Sequence, residues 1–223
     1  MDIFQTFFNI DVLVRTFPLL MQGLWVTVQL GLCAIIAGLA LGLGLALVRI
    51  YGARPVRLIA RIYIDVFRSI PLLVLLIIVY YALPFVGIRL SAFLSALSAL
   101  TMVSAAYTAE IFRAGIEAIP KGQFEASGAL GLNYRHMMVD VILPQAIKIV
   151  IPPLTNNSIN VIKDTALASV VAMPDLLKQA TQAQALAANP SPLIGAAIIY
   201  VAFLWPLVAW VSRLERRFGG GTR

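Results

Sequence analysis

Charge is what this sequence has least of. Only 12% of its 223 residues are Asp, Glu, Lys or Arg, while 61% are hydrophobic. A water-soluble domain of this length carries about 25% charged residues, so the balance is wrong for water. Metal ligands are equally scarce: there is one Cys and one His. Cys33 lies inside an apolar run, where it reads as a small packed hydrophobe. No disulfide within the chain can form, and the missing ligands argue against a metal or redox role. The sequence has no G-x-x-x-x-G-K-[ST] phosphate loop, so it does not supply ATP chemistry itself. It also has no internal repeat, no low-complexity tract and no sign of a second domain. The N-terminus, with Asp2 and Asp11 before a long apolar stretch, lacks the basic start and small-residue cleavage site of a signal peptide.

Long uncharged runs take the place of these features. A helix needs about 20 apolar residues to cross the hydrocarbon core. Residues 16–48 contain no charge, and 69–88 and 90–109 are uncharged on either side of Arg89. Leu193–Val211 is a fourth clear run. The stretch from Val141 to Met173 is harder to read, because Lys148, Lys163 and Asp164 interrupt it, with Pro152, Pro153, Asn156, Asn157 and Asn160. By hydropathy it is either a surface helix or a span whose polar groups line a pathway, since such groups are tolerated at bilayer depth only against other helices or water.

The positive-inside rule separates these readings. One basic cluster (Arg49, Arg54, Arg57, Arg61, Arg68) follows the first run, and another (Arg213, Arg216, Arg217, Arg223) follows the last. Four crossings would put the clusters on opposite faces of the membrane; five put them together. The expectation is therefore an all-α integral membrane protein, a single domain with spans near 18–48, 66–86, 90–110, 143–170 and 193–212. Its N-terminus is outside and its C-terminus cytoplasmic. Every Lys and Arg except Arg15, Arg89, Lys163 and Lys178 then faces inward. The net charge of +7 is orientation chemistry, with anionic membrane lipid as a partner. It is split among separate loops without an aromatic-rich groove, which is not the footprint of a nucleic-acid binder. Outside, Pro174–Pro192 reads as an interfacial helix ended by prolines.

The same topology leaves a cytoplasmic loop over residues 111–141. Pro120 suits a helix start and Gly131 the left-handed position that ends one. Between them Ala126, Ser127, Gly128 and Ala129 make a small-faced helix, and a second short helix is expected over Tyr134–Val141. Gly128 costs about 1 kcal/mol relative to Ala in a helix interior, a cost that brings close approach by another surface in return. Spacing alone leaves a loosely packed surface loop equally open.

The run Glu125-Ala126-Ser127-x3-Gly131-x9-Val141-x-Leu143-Pro144 resembles the EAA motif of permease subunits in binding-protein-dependent ATP-binding-cassette (ABC) importers. The family pattern is E-A-A, three residues, G, nine residues, I-x-L-P; here Ser127 stands for the second Ala and Val141 for Ile. Other segments are similar to the polar amino-acid subfamily. These are Phe67-Arg68-Ser69-Ile70-Pro71-Leu72-Leu73, Ala106-Tyr107-x-Ala109-Glu110, Leu143-Pro144-Gln145-Ala146 and Lys163-Asp164-Thr165-Ala166-Leu167. Ser69, Ile70 and Ala166 depart from the family pattern, and the first 50 residues match only in hydropathy.

The resemblance implies a type I importer-like fold in the bacterial inner membrane. It implies two copies of an ABC ATPase, a second permease chain (identical or related) and an extracytoplasmic amino-acid-binding protein as partners. No cofactor is expected on this chain; ATP and Mg belong to the ATPase. Glu125, Ala126, Ser127, Gly128 and Gly131, with Leu143 and Pro144, would form the coupling element that receives ATPase motion. For a zwitterionic amino acid the pathway needs donors for the carboxylate and an acidic acceptor for the ammonium. Asn156, Asn160 and Lys163 share one helical face, Asp164 follows Asn160 by four, and Tyr107 and Glu110 close the third span. Asp164 leads this set, because a charge at depth is expensive without a use. Alternatively, Lys163 and Asp164 neutralise one another or snorkel, and Glu110 with Arg113 makes a structural ion pair.

The remaining features have blander readings. His136 pairs with Asp140 at the surface; Gly38, Gly42 and Gly44 form a packing stripe; and Pro71, Pro84, Pro152 and Pro153 kink or end helices. An intramembrane enzyme would need a catalytic set that is absent here. A self-sufficient secondary transporter would show repeats and more spans, and a gated channel is the remaining alternative.

Overall fold

A computed structural model describes residues 3–218, with side-chain environments from 5 to 213. Asp2 and Arg223 lie outside the described residues, and so do the side chains of Arg216 and Arg217. Every regular element among the described residues is helical. In chain order they are α1 (Ile3–Phe7), α2 (Ile10–Tyr51), α3 (Arg54–Ser69), α4 (Leu72–Ile77), α5 (Ala92–Glu117), α6 (Lys121–Ala129), α7 (Tyr134–His136), α8 (Leu143–Asp164), α9 (Leu176–Ala187) and α10 (Ser191–Phe218). Side chains fix several starts: Asn9, Ser91 and Asp175 accept from the first-turn amides of α2, α5 and α9.

Four stretches are long and apolar enough to cross a membrane: Gln5–Tyr51, Ala92–Glu117, Tyr134–Val171 and Ser191–Arg213. A fifth is counted only if Arg54–Ser69 and Leu72–Val86, bent by 103° at their junction, make one broken span. The run read from the sequence as a span over 66–86 is thus not one continuous helix but is broken near Pro71. Pro71 disfavours helical backbone at the residue before it, and Ile70 is extended at φ −81°, ψ 127°. Beyond the break α4 relaxes into a π segment (Ile78–Ala82) and a 3-10 turn (Leu83–Val86), where Pro84 takes an early position. The second short helix expected over Tyr134–Val141 is instead the lead-in to α8. It widens to a π turn over Met137–Ile142, just ahead of Pro144, which offers no N–H to the preceding turn. Pro152 and Pro153 lie inside α8 and do not end it.

The core is the seam between α2 and α5. Gly31, Ala34, Gly38, Gly42 and Ala46 bury one stripe of α2. A Cβ on Gly38 would stand 2.5 Å from Ser104 Oγ, and one on Gly42 would stand 2.6 Å from Thr108. The small residues are what allow the backbones to approach. Gly44 departs from the expected stripe: it is exposed, and a Cβ placed on it would have no neighbour within 4 Å. α8 packs on the other side of α5, and α9 and α10 close the bundle against α2 and α8. The segment between α8 and α10 contains a helix, α9, which is capped at Ala188 before Asn189-Pro190.

Candidate functional site

Midway along the bundle, α5 and the far half of α8 diverge around a cavity of about 320 Å³. Tyr107, Ser104, Val103 and Leu100 of α5 face Asn157, Asn160, Val161, Lys163 and Asp164 of α8, and Leu72 closes one side just past the break at Pro71. Its size suits one small molecule. Four of these α8 residues, Asn157, Asn160, Val161 and Asp164, recur at i, i+3, i+4 and i+7, one stripe of a helix, with Lys163 at its edge. Neither Lys163 nor Asp164 is in a salt bridge among the described residues. A carboxylate, an ammonium, two amides and two hydroxyls therefore border one space within an otherwise apolar bundle. Asn157 Nδ2 reaches Ser104 Oγ at 3.5 Å and Thr108 Oγ1 at 3.4 Å. The Arg68 guanidinium sits 5.5 Å from the centre of the Tyr107 ring, within cation–π range.

Two expected members of this site stand elsewhere. Asn156 is exposed and does not line the cavity; the neighbouring Asn157 takes that place. Glu110 is held by ions. Arg49 Nη1 of α2 lies 2.7 Å from its Oε2, and Arg113 Nε approaches both of its oxygens at 3.2 and 3.1 Å. Arg113 also pairs with Glu117. This network binds the end of α2 to the end of α5 outside the cavity, which is the structural alternative for Glu110 and Arg113. His136 Nδ1 lies 3.1 Å from Asp140 Oδ2 at the surface, as expected.

The second candidate region is α6. Pro120 is its N-cap rather than its first helical residue. Its end is a Schellman turn: Leu132 N–H donates to the Ser127 carbonyl at 3.1 Å and Gly131 N–H to the Gly128 carbonyl at 2.9 Å. Gly131 at φ +73° supplies the left-handed residue this turn requires. Glu125, Ala126, Gly128, Ala129 and Gly131 are exposed, and nothing lies within 4 Å of a Cβ built on Gly128. Ser127 differs from the expectation for a docking residue. It is 3% exposed, and its hydroxyl donates to the Gln123 carbonyl at 2.7 Å, so it faces inward. Beneath it, Phe124 packs with Ile119, Met138, Ile142 and Ala146, joined by Leu143. Gln145 Nε2 meets Gln123 Oε1 at 3.3 Å. Pro144 is exposed at the start of α8. The small face thus looks away from the chain while the opposite face is keyed to α5 and α8, the two helices that border the cavity.

The sequence profile of the binding-protein-dependent transport system inner membrane component family matches residues 34–220. The chain belongs to this family. It is therefore a multi-pass component of the inner membrane and a permease. Arginine transport system permease protein ArtQ of Bacillus subtilis (strain 168) is 41% identical over 202 residues, 90% of this chain and 92% of that protein. Probable glutamine ABC transporter permease protein GlnM of the same organism is 36% identical, over 94% and 97% of the two chains. Among solved structures, an amino acid ABC transporter with histidines superposes with a TM-score of 0.88 at 39% identity, covering 92% of this chain and 96% of that one. The MetNI methionine ABC transporter in an inward-facing conformation gives 0.74 at 22% identity, a likeness of fold.

Within this permease, α8 begins at Leu143, beside the apolar cluster under α6, and ends at the cavity at Asp164, about 30 Å away at 1.5 Å per residue. Ser104, Asn157 and Leu72 are cavity residues beyond those expected from the sequence. Ser104 and Thr108 could have been found from their i, i+4 spacing opposite the glycine stripe of α2. The choice of Asn157 over Asn156 has no signal in the sequence. Among the described residues no group of three or more His, Cys, Asp or Glu is placed to hold a metal ion.

Proposed function

We propose that this permease forms half of the translocation pathway of an ATP-driven importer, and that a polar amino acid, delivered by a soluble binding protein, rests in the cavity between α5 and α8. The observation that carries this reading is the placement of Asp164, Lys163 and the amides of Asn157 and Asn160 around one cavity between two of the long apolar helices. A zwitterion presents an ammonium and a carboxylate, and these side chains offer an acceptor for the first and donors for the second. Polar groups left between membrane-spanning helices without a ligand or partner are costly. The subunits named for arginine and glutamine transport among the relatives are in keeping with such cargo.

A second permease chain would complete the pathway, and one copy of an ATPase would dock on the exposed face of α6, formed by Glu125, Ala126, Gly128 and Gly131, with the other copy on the second permease. ATP and Mg stay with the ATPase. Its closure would push α6 as a rigid body, and the apolar cluster around Phe124 would pass that displacement to α5 and α8 and so to the cavity. The basic clusters support an orientation with α6 and the C-terminus in the cytoplasm and the N-terminus outside. The test is uptake into proteoliposomes of the complex isolated from its host through this chain. Co-isolation of an ATPase, with amino-acid uptake that stops when ATP is withheld, is the expected result. Uptake driven by an ion gradient without ATP would favour a secondary transporter, and passive flux would favour a channel.

A further inference from the structure

Four arginines converge on a second cavity, of about 400 Å³, enclosed by the end of α2, the start of α3 and the end of α5. Their charges are unequally compensated. Arg49 and Arg113 are held by Glu110, and Arg113 also by Glu117. Arg57 is in no salt bridge among the described residues; its Nη2 donates to the backbone carbonyl of Gly52 at 3.1 Å. Arg61 reaches Asp65 only at 3.6 Å, with both side chains more than half exposed, a contact of little energy. Two guanidinium groups one helical turn apart thus line a concave site with donors to spare. That arrangement suits a tetrahedral oxyanion, above all a phosphate.

Glu117 also lines the cavity, its carboxylate taken up by Arg113, and the rest of the wall is apolar. Ile50 and Ile116 form part of its wall and also line a neighbouring groove of about 330 Å³, enclosed by aliphatic side chains of α2, α5 and α8 with Phe112 and Tyr51. On α3 the residues that follow the two arginines, Leu58 and Ile62, are 57% and 54% exposed. α3 therefore separates a basic face from a bare apolar one, the pattern of a helix at a lipid interface.

We propose that this cavity is a binding site for an anionic phospholipid, its phosphate on Arg57 and Arg61 and its acyl chains along the adjoining apolar surface. A soluble anion would gain the arginines but nothing from Leu58, Ile62 or the groove. The assignment of the site to the cytoplasmic leaflet rests on the orientation proposed above; lipid selectivity itself does not.

The test is lipid retention by the intact complex in nanodiscs that mix phosphatidylglycerol with phosphatidylcholine, read by native mass spectrometry. Both faces of a nanodisc are open, so the outcome is independent of which way the chain is oriented. The wild type should retain phosphatidylglycerol over phosphatidylcholine, and Arg57→Gln/Arg61→Gln should lower that preference by about tenfold, as loss of charge-assisted bonds implies. The Arg54→Gln control, outside the cavity, should leave it unchanged. Equal retention of the two lipids by the wild type would overturn the proposal whether or not the variants fold. An unchanged preference in the double variant would do the same. Displacement of the lipid by excess inorganic phosphate alone would show a site for free phosphate and overturn the lipid assignment.

Discussion

Arg49 Nη1 lies 2.7 Å from Glu110 Oε2, joining the last turn of α2 to α5 across the interior of the bundle. Both side chains are about one-fifth exposed, and Arg113 takes the other side of the carboxylate. A carboxylate held in this way acts as a clamp between the two helices.

The clamp predicts a separation of effects for Glu110→Gln. Removing one member of a mostly desolvated ion cluster leaves the others uncompensated. The partial exposure here reduces the cost to about 1–3 kcal/mol. The thermal unfolding midpoint of the complex in detergent should fall, while the concentration of cargo giving half-maximal uptake stays within twofold. A raised half-maximal concentration at unchanged thermal stability would return Glu110 to the pathway.

Gly128 and Gly131 should respond differently to substitution. A Cβ on Gly128 has no neighbour within 4 Å, so Gly128→Leu starts into open space, and Leu is the better helix former by roughly 0.8 kcal/mol. The variant chain should be as stable as the wild type or slightly more so, yet should lose cargo-stimulated ATP hydrolysis in the assembled complex. Gly131→Ala forces a Cβ into φ +73°, at about 1 kcal/mol, and should lower stability as well. Normal stimulated hydrolysis in Gly128→Leu would mean that α6 is not the docking face.

How much of the molecule is readable from its sequence depends on what each signal measures. Hydropathy reports depth, so the long apolar helices and the helical class are legible, and charge parity points to the broken second span. Neither measures direction within the bilayer. The run 66–86 reads as one apolar segment, but Pro71 turns the chain by 103° within it. Face assignments are accurate to about one residue. Asn156, Asn160 and Lys163 share a stripe in an ideal helix, whereas the stripe toward α5 passes through Asn157, Asn160 and Asp164. Ser127 occupies a motif position whose spacing is matched, yet spacing along the chain cannot tell the inner face of α6 from the outer. Phe124, on the inner side three residues earlier, is the available clue.

The register of α8 gives a sharp contrast. Asn160→Ala removes an amide from the cavity wall and should raise the half-maximal uptake concentration by about tenfold, the worth of a hydrogen bond to a charged group. Asn156→Ala, outside the cavity, should change it by less than twofold. Equal effects would place both residues on the pathway and shift the assigned face by one position.

Asp175 provides a test by pH. It is fully buried at the start of α9, where it accepts from the amides of Lys178 and Leu177 at 3.1 and 3.4 Å. Burial nevertheless pushes its carboxyl up to about 6. A group raised in the folded state binds its proton more tightly there than when unfolded. Its contribution to stability is therefore full below about pH 4 and is lost as pH rises through about 6, on the order of 2–3 kcal/mol. Asn also caps helices well, so Asp175→Asn should gain stability relative to the wild type at pH 7.5 and lose that advantage by pH 4.5. A difference in unfolding midpoint that does not vary with pH would contradict this.

Amino-acid uptake by proteoliposomes containing the complete transporter, compared between wild type and Asp164→Asn, tests the central claim most directly. ATP-dependent uptake is expected in the wild type, with a loss of about tenfold or more in the variant for want of the acceptor that meets the cargo's ammonium. The variant should keep its stability and its bound ATPase. Wild-type uptake in Asp164→Asn, with the assembled complex intact, would contradict the claim that cargo crosses through the cavity between α5 and α8.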